Sequence, residues 1–261
     1  MPQILLCPPT YYTVKYSINP WMQGEVVDKL EALNQWASLR DTLESLGVTV
    51  HLMKPDKKLP DMVFTANGGL VHGDVVVLSN FKPTERIDEY AHFRRWFLHN
   101  GYNAHTISPY LKFEGGGDAV IHGNRIIAGY GFRTELEALE KVADVFNLNL
   151  IPLKLKDPRF YHLDTCFSII DKINGLGIYY PDAFEANNVS TLTGLKLIKI
   201  PEGEAVKFAC NSVAYKNTVI MPANNHWTAN SLRKLNYTVI ELDMSEYLKA
   251  GGAAKCLALW V

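Results

Sequence analysis

A sequence that copies itself at a fixed interval limits a chain to folds built from one small unit set around or along an axis. Gly69-Leu70-Val71-His72-Gly73-Asp74-Val75-Val76-Val77 and Ala119-Val120-Ile121-His122-Gly123-Asn124-Arg125-Ile126-Ile127 are such copies, 50 residues apart. Each reads as a strand, a tight turn and a second strand. Glycine followed by Asp or Asn supplies the positive φ of a short hairpin. Weaker copies run from Phe167 to Tyr180, turning at Asp171-Lys172-Ile173-Asn174-Gly175, and from Ser212 to Met221, turning at Lys216-Asn217.

Segments of helical pattern lie between the hairpins. They are Val26 to Leu46, Glu85 to Asn100, Thr134 to Phe146, Ala183 to Leu192 and Trp227 to Leu235. Leu136, Leu139, Val142, Ala143 and Phe146 share one helical face. Gly47 and the Asn100-Gly101 pair are helix stops. The unit is therefore strand–strand–helix–strand, a ββαβ repeat of about fifty residues present about five times. No low-complexity linker interrupts it, so residues 1–261 read as a single α/β domain. Such units can close into a ring, with hairpin ends meeting at a central channel.

The bulk chemistry excludes several function classes. A net charge of -1, with 26 basic and 27 acidic side chains and no basic stripe, argues against a nucleic-acid partner. The longest apolar runs are strand-sized, such as Val75-Val76-Val77-Leu78, so no membrane span is expected. The first residues lack a basic region before their apolar run, so no signal peptide is expected. Cys7, Cys166, Cys210 and Cys256 lie far apart without a CxxC pair, which suits free thiols in a reducing cytoplasm and no metal site.

Five polar clusters open successive hairpins. They are Asp61-Met62-Val63-Phe64-Thr65-Ala66-Asn67, Phe113-Glu114-Gly115-Gly116-Gly117-Asp118, Tyr161-His162-Leu163-Asp164, Asn211-Ser212, and Gly251-Gly252-Ala253-Ala254-Lys255-Cys256. Each has an ordinary reading taken alone. Glu114 beside three glycines is a turn carboxylate, and His162 is a satisfied strand histidine sharing one face with Asp164. Cys256 is a small hydrophobe near the end of the sequence, like Cys7, Cys166 and Cys210. His72 and His122 flank turn glycines on the surface, and His226 sits in a surface loop. Together the clusters read differently. Buried carboxylates and imidazoles are costly unless paired or used. A thiol, an imidazole and carboxylates are the parts of Cys/His nucleophilic chemistry. Carboxylates also accept the forked donors of a planar guanidinium.

In these motifs the chain resembles the guanidine-modifying enzymes, which include arginine deiminase, dimethylarginine dimethylaminohydrolase, arginine:glycine amidinotransferase and arginine dihydrolase. The similarity covers nearly the whole chain. It rests on Phe-Thr-Ala-Asn at 64–67, Phe-Glu-Gly-Gly-Gly-Asp at 113–118, Gly-Tyr-Gly-Phe-Arg-Thr-Glu at 129–135, His-Leu-Asp at 162–164 and the glycine-led Cys256. The resemblance implies a five-bladed pseudo-symmetric α/β propeller, the pentein fold. It implies Cys256 as nucleophile and His162 as general acid/base. Glu114 would orient His162 and hold a guanidinium nitrogen, and Asp164 would accept from the guanidinium. Arg133 and Arg86 would bind the substrate carboxylate, although Arg86 opens an expected helix where a surface ion pair is an equal reading. Asn19, Asp61, Phe64, Asn67, Asp118 and Ser212 complete the implied substrate set, with Asp118 also readable as a group holding Arg133 or the glycine loop.

Two departures point to one branch of this family. Its deiminases carry an aspartate where this chain has Asn67. Ser17-Ile18-Asn19-Pro20-Trp21-Met22 is similar to the Asn-Pro-Trp-Met segment of the arginine dihydrolases, in which the asparagine reaches the reacting centre. A guanidinium offers only donors, whereas a urea offers a carbonyl oxygen that needs donors. An amide serves both. The expected activity is hydrolysis of L-arginine twice over, to ornithine, ammonia and carbon dioxide, without metal or cofactor. The alternatives are a single hydrolysis to citrulline, from arginine or methylated arginine, and a non-catalytic binding module on the same fold. The expected partner is L-arginine or a close guanidino amino acid, and the sequence leaves room for a homo-oligomer.

Overall fold

Both His-Gly turns form as their residues dictate. In a computed structural model, which describes residues 2–186 and 189–261, β3 (Gly69–His72) pairs antiparallel with β4 (Val75–Leu78). In the next repeat β6 (Ala119–His122) pairs with β7 (Arg125–Tyr130) in the same way. Gly73 and Gly123 adopt φ of 61° and 59°, the left-handed backbone that a side chain would penalise.

Each hairpin acquires a third, parallel strand. β5 (Asn103–His105) joins β4, and β8 (Asn149–Lys154) joins β7. The third sheet contains β9 (Phe167–Asp171), β10 (Leu176–Tyr179) and β11 (Lys196–Lys199). The fourth contains β12 (Val213–Tyr215), β13 (Thr218–Pro222) and β14 (Thr238–Leu242). In the fifth, β1 (Gln3–Leu6) lies between β2 (Thr49–Leu52), parallel, and β15 (Leu259–Trp260), antiparallel. The last strand of the chain thus takes the place that β3, β6, β9 and β12 hold in the other sheets. Five three-stranded sheets share one topology.

Parallel neighbours need a crossover, and four of the five crossovers carry a helix. These are α1 (Lys29–Ser45), α2 (Glu89–His99), α3 (Leu136–Phe146) and α4 (His226–Lys234). Asp28 caps α1, its carboxylate accepting from the Leu30 and Glu31 amides. Along α3 the expected face is buried at Leu139, Val142 and Ala143, but Leu136 is exposed. Each fully buried aliphatic side chain contributes about 2 kcal/mol.

The helix expected over Ala183 to Leu192 does not form in the described residues, and residues 187–188 of that span lie outside them. Short 3-10 turns stand at Pro181–Ala183 and Val189–Thr191 instead. Phe184 bridges to Leu155, and backbone bonds run from Lys156 N to the Ala183 carbonyl and from Glu185 N to the Lys154 carbonyl. This tertiary pairing holds the chain extended from Phe184. His162 and Asp164 also differ from expectation. They do not alternate on a strand, because Leu163–Thr165 is a 3-10 turn leading into β9.

The leading strand of every sheet follows a buried turn, and these turns are hydrogen-bonded to one another in cyclic order. The Asn67 amide donates to the Glu114 carbonyl at 3.3 Å. Asp118 accepts from Leu163 N at 3.0 Å. Asn211 donates to the Asp164 carbonyl at 3.2 Å, and its own carbonyl accepts from Lys255 N at 3.2 Å. The Cys256 carbonyl accepts from Ala66 N at 3.1 Å, returning to the first turn. Residues nearly 200 apart in sequence are thereby held side by side. No helix among the described residues is long and apolar enough to cross a membrane.

Candidate active site

Cys256 lies in the last of these turns, buried at 2% exposure. Asn211 surrounds it. The Asn211 Oδ1 accepts from Cys256 N and Ala253 N, each at 3.1 Å, while Nδ2 donates to the Cys256 sulfur at 3.0 Å. On another side the thiol donates to Asp164 Oδ2 at 3.5 Å. Burial and then Asp164 push the thiol's proton affinity well up, against the opposing pull of Asn211 and Lys255. Burial also raises the Asp164 carboxyl to about 6, with Lys255 the largest opposing influence. Asp164 Oδ1 is buried and makes no hydrogen bond with a described residue.

Glu114 is fully buried and ties the Arg133 guanidinium to the His162 imidazole. Its Oε2 accepts from His162 Nε2 at 2.8 Å and from Arg133 Nη1 at 2.9 Å, and its Oε1 accepts from Lys82 N at 3.1 Å. Burial alone would raise its proton affinity. Arg133 and the His162 hydrogen bond reverse this and hold the carboxyl well below the usual range. An ionised Glu114 can only accept, so the His162 proton is assigned to Nε2 and the lone pair to Nδ1. Burial lowers His162 to about 4 despite Glu114, leaving a neutral imidazole at pH 7. Gly115, at φ 59°, lets this turn pass against Gly69, where a Cβ would meet backbone nitrogen at 2.7 Å.

A second charged group abuts the first. Arg86 is buried at 3% exposure in the 3-10 turn Thr84–Arg86, where a surface ion pair had been an equal reading. Its Nε and Nη2 each reach Glu89 at 2.9 Å, its Nη1 donates to Asn67 Oδ1 at 3.0 Å, and its Nη2 also meets the Asp61 carbonyl at 3.3 Å. The guanidinium lies 4.6 Å from the Phe81 ring centroid. Burial raises the Glu89 carboxyl to about 7, with Arg86 the main opposing influence. Arg133 is less committed. Beyond Glu114 it donates only to the Ile18 carbonyl, at 2.8 Å, and it stacks on Tyr161.

The segment from Tyr16 to Met22 covers these groups. The Tyr16 hydroxyl donates to Asp61 Oδ2 at 2.9 Å, and Trp21 Nε1 donates to the Arg159 carbonyl at 2.8 Å. Asn19 is fixed at both ends of its amide, donating to the Ala250 carbonyl at 3.0 Å and accepting from Trp21 N at 2.9 Å. Beneath lies a pocket of about 260 Å³ lined by Asn19, Asp61, Phe64, Asn67, Arg86, Arg133, Tyr161 and Cys256, with Ile18, Met22 and Ala250. Asp61 Oδ1 is buried there without a hydrogen bond to a described residue. A thiol, two guanidinium groups, two amides and the under-used Asp61 carboxylate thus line one pocket, with the His162–Glu114 pair joined to it through Arg133 and Asp164 joined to it through the Cys256 sulfur.

Comparisons with known proteins place the chain in a family. The profile of the family described as N,N dimethylarginine dimethylhydrolase, eukaryotic, matches residues 17–260. The chain belongs to this family. Its members hydrolyse carbon–nitrogen bonds in linear amidines. The bifunctional arginine dihydrolase/ornithine cyclodeaminase AgrE of Nostoc sp. is 43% identical across 99% of this chain, which covers 38% of that protein. The chain thus spans little more than a third of that relative. An N(G),N(G)-dimethylarginine dimethylaminohydrolase of Mycobacterium tuberculosis is 38% identical across 97% of this chain and 84% of that one. The N-terminal domain of ArgZ, a cyanobacterial arginine dihydrolase crystallised as a variant bound to substrate, matches with TM-score 0.96 at 42% identity. That match covers 100% of this chain and 98% of the domain.

Of the expected site residues, Cys256, Asn19, Asp61, Phe64, Asn67, Arg86 and Arg133 line the pocket, Glu114 and His162 stand behind Arg133, and Asp164 reaches the Cys256 sulfur from the neighbouring cavity. Asp118 and Ser212 fall elsewhere. Asp118 accepts from the Thr134 hydroxyl at 2.7 Å and from Leu163 N, so it braces the turn carrying His162 rather than facing the pocket. Ser212 donates to the Ala209 carbonyl at 2.7 Å and lines a different cavity. Its neighbour Asn211 faces the cysteine. Sequence reasoning picked the pair but the wrong member, because adjacent residues entering a strand point to opposite faces and no local signal says which face is inward. Glu89 was missed because an acid in the first turn of a helix normally faces water.

Proposed function

We propose that this chain, as a single catalytic domain over residues 1–261, hydrolyses the guanidinium carbon of L-arginine twice, giving ornithine, ammonia and carbon dioxide. The observation that carries this reading is the presence of two neutral amides, Asn19 and Asn67, on the pocket that holds Cys256. The substrate begins as a cation with donors only and becomes a neutral urea whose oxygen needs donors. Carboxylates favour the first state, and amides accommodate both. Similarity to arginine dihydrolase domains across the whole chain supports the same reading. We read the five sheets, with their cyclically bonded turns, as blades of a pentein propeller with the pocket at one end of its axis.

The resting thiol is protonated because burial and Asp164 both oppose the thiolate. An arginine side chain seated against Asp164 supplies positive charge and removes the second of these penalties. The thiol proton passes to His162 Nδ1, and Glu114 stabilises the resulting imidazolium. Cys256 sulfur bonds to the guanidinium carbon, the bond to one terminal nitrogen breaks, and His162 returns the proton to the departing ammonia. Water deprotonated by the same ring then attacks the thiouronium carbon, and the C–S bond breaks to leave citrulline. In the second round the thiol adds to the urea carbon and expels a second ammonia. Water releases N-carboxyornithine, which loses carbon dioxide to give ornithine. Asp61 and Asp164 each offer a buried oxygen with no hydrogen bond to a described residue, one toward the substrate's ammonium group and one toward its guanidinium. Arg133, with most of its N–H groups uncommitted, suits the carboxylate better than Arg86.

A second reading, a single hydrolysis of arginine or dimethylarginine to citrulline, is favoured by the family profile. Incubation with each substrate, measuring ammonia, citrulline, ornithine and dimethylamine together, separates the two. Ornithine appearing with ammonia from arginine is expected. Citrulline that accumulates without ornithine would sink the dihydrolase reading, and Cys256→Ser should form none of these products.

A further inference from the structure

Asp164 has a second side. Beyond it lies a cavity of about 540 Å³ whose lining shares no residue with the Cys256 pocket. Apolar walls are formed by Phe167 and Trp260 among others, and the polar groups are Asp164, Lys255, Lys172, Ser168 and Ser212, with Asp164 the largest influence that supports the Lys255 ammonium against burial. The Lys255 ammonium is poorly served there. It makes two long hydrogen bonds, 3.4 Å to the Ala258 carbonyl and 3.5 Å to the Gly116 carbonyl, and no ion pair with a described residue. Lys172, exposed on the turn between β9 and β10, makes no hydrogen bond or ion pair with a described residue, and nor does the Ser168 hydroxyl. The adjacent carboxylate on that turn, Asp171, is engaged by Asn174, the Ile173 amide and Tyr237. Arg125 and Lys172 both act on His122 as like charges, so the positive field extends along this face.

Two lysines against one carboxylate, with a hydroxyl that has no hydrogen bond to a described residue, suit a compact ligand that is all acceptor and negatively charged. We propose that this cavity binds a small oxyanion between Lys255 and Lys172, and that its occupancy slows the reaction at Cys256 without occupying the arginine pocket. The coupling runs through one side chain. Lys255 lowers the proton affinity of both Asp164 and Cys256, so an anion that neutralises Lys255 leaves both protons held more tightly and the thiolate scarcer. Two sources share this chemistry. Carbon dioxide hydrates to hydrogencarbonate, so under the proposed function the anion is the reaction's own product. Orthophosphate would come from solution.

Binding is read without turnover, so its failure is distinguishable from failure of the dihydrolase reading. The Cys256→Ser chain, saturated with L-arginine, is titrated with 13C-hydrogencarbonate and separately with orthophosphate. Line width is followed by 13C or 31P NMR against chloride at equal ionic strength. Saturable binding is expected, weakened about tenfold by Lys172→Ala and by Ser168→Ala, each of which removes one anion-directed hydrogen bond. Hydrogencarbonate alone binding identifies product feedback, phosphate alone identifies an external signal, and both together identify a site selecting on charge. With the active enzyme, the bound anion should lower kcat and leave KM unchanged, and Lys172→Ala should abolish that effect. Absence of binding, binding that arginine displaces, or binding undiminished in both variants overturns the proposal.

Discussion

Asn211 holds Cys256 at both ends of the residue: its carboxamide oxygen accepts from the Cys256 backbone nitrogen at 3.1 Å, and its nitrogen donates to the sulfur at 3.0 Å. One side chain therefore fixes where the thiol sits and favours its ionised form. It opposes Asp164, which lies on another side of the sulfur and favours the thiol. The balance between a carboxamide and a carboxylate sets how much positive charge an incoming substrate must bring before the nucleophile forms.

Replacing this carboxamide separates its two duties. Asn211→Ala leaves the Ala253 and Cys256 amides buried without an acceptor, and should cost about 3 kcal/mol in urea unfolding. Asn211→Asp keeps an acceptor but exchanges the donor for a negative charge beside the sulfur. Its alkylation by iodoacetamide should move to higher pH by about one unit or more, with a smaller loss of stability. An unchanged alkylation profile would mean that the Asn211 amide does not act on the thiol.

Arg86 can serve the pocket only while Glu89 neutralises it. Glu89→Gln removes the countercharge from a buried guanidinium, and the expected loss is about 3 kcal/mol or more of stability. Released from its two-point contact, Arg86 should swing toward Asp61, its next carboxylate, and KM for arginine should rise more than kcat falls. A Glu89→Gln chain as stable as the parent would show that the pair contributes little.

Two groups of opposite sign overlap on the acid side of the stability profile. His162, lowered from 6.5 to about 4, binds fewer protons folded than unfolded, so it contributes a loss of stability as pH falls through that window. Asp164, raised from 3.8 to about 6, binds more protons when folded, so it contributes a gain as pH falls through its own window. Between pH 6 and 4 the two oppose each other. Asp164→Asn should leave His162 unopposed and steepen acid destabilisation toward ~1.4 kcal/mol per pH unit, the slope for one whole proton. Urea midpoints measured at pH 6, 5 and 4 read this slope, and equal slopes in parent and variant would contradict the assignment.

The repeat and its hairpins are legible because they are written in local chemistry. Gly73 and Gly123 need only their own backbone angles to set a turn, and the alternation around them sets the strands. The third crossover is not legible, because Ala183 to Leu192 contains no proline or glycine to stop a helix. What decides against the helix is the Leu155–Phe184 bridge, a pairing with a strand some thirty residues earlier. At the site, residue types were readable and neighbours were not. Glu114 with His162 and Cys256 stood out as costly polar groups in apolar sequence. Asn211, Glu89 and Lys255 acquire meaning only from contacts with the sulfur, with Arg86 and with the cavity behind Asp164.

Asn67 is where the number of hydrolytic rounds can be tested. Its oxygen accepts from Arg86 at 3.0 Å and its nitrogen donates to the Glu114 carbonyl at 3.3 Å, so it joins two of the five turns and lines the pocket. Asn67→Asp keeps the bond to Arg86, strengthened by charge, but loses the donor to the Glu114 carbonyl. It also adds a carboxylate close to the reacting carbon. Arginine, a cation, gains from that charge, so the first hydrolysis should proceed with little change in KM. Citrulline is neutral and its urea oxygen meets an acceptor where an amide stood, a mismatch of about 2 kcal/mol. Citrulline should therefore be released before the second attack. The ornithine-to-citrulline ratio should fall by about tenfold or more, while ammonia per arginine drops from two toward one. A variant that still converts arginine fully to ornithine would remove Asn67 from the argument and leave Asn19, tied to Ala250 and Trp21, as the neutral group on which a second round depends.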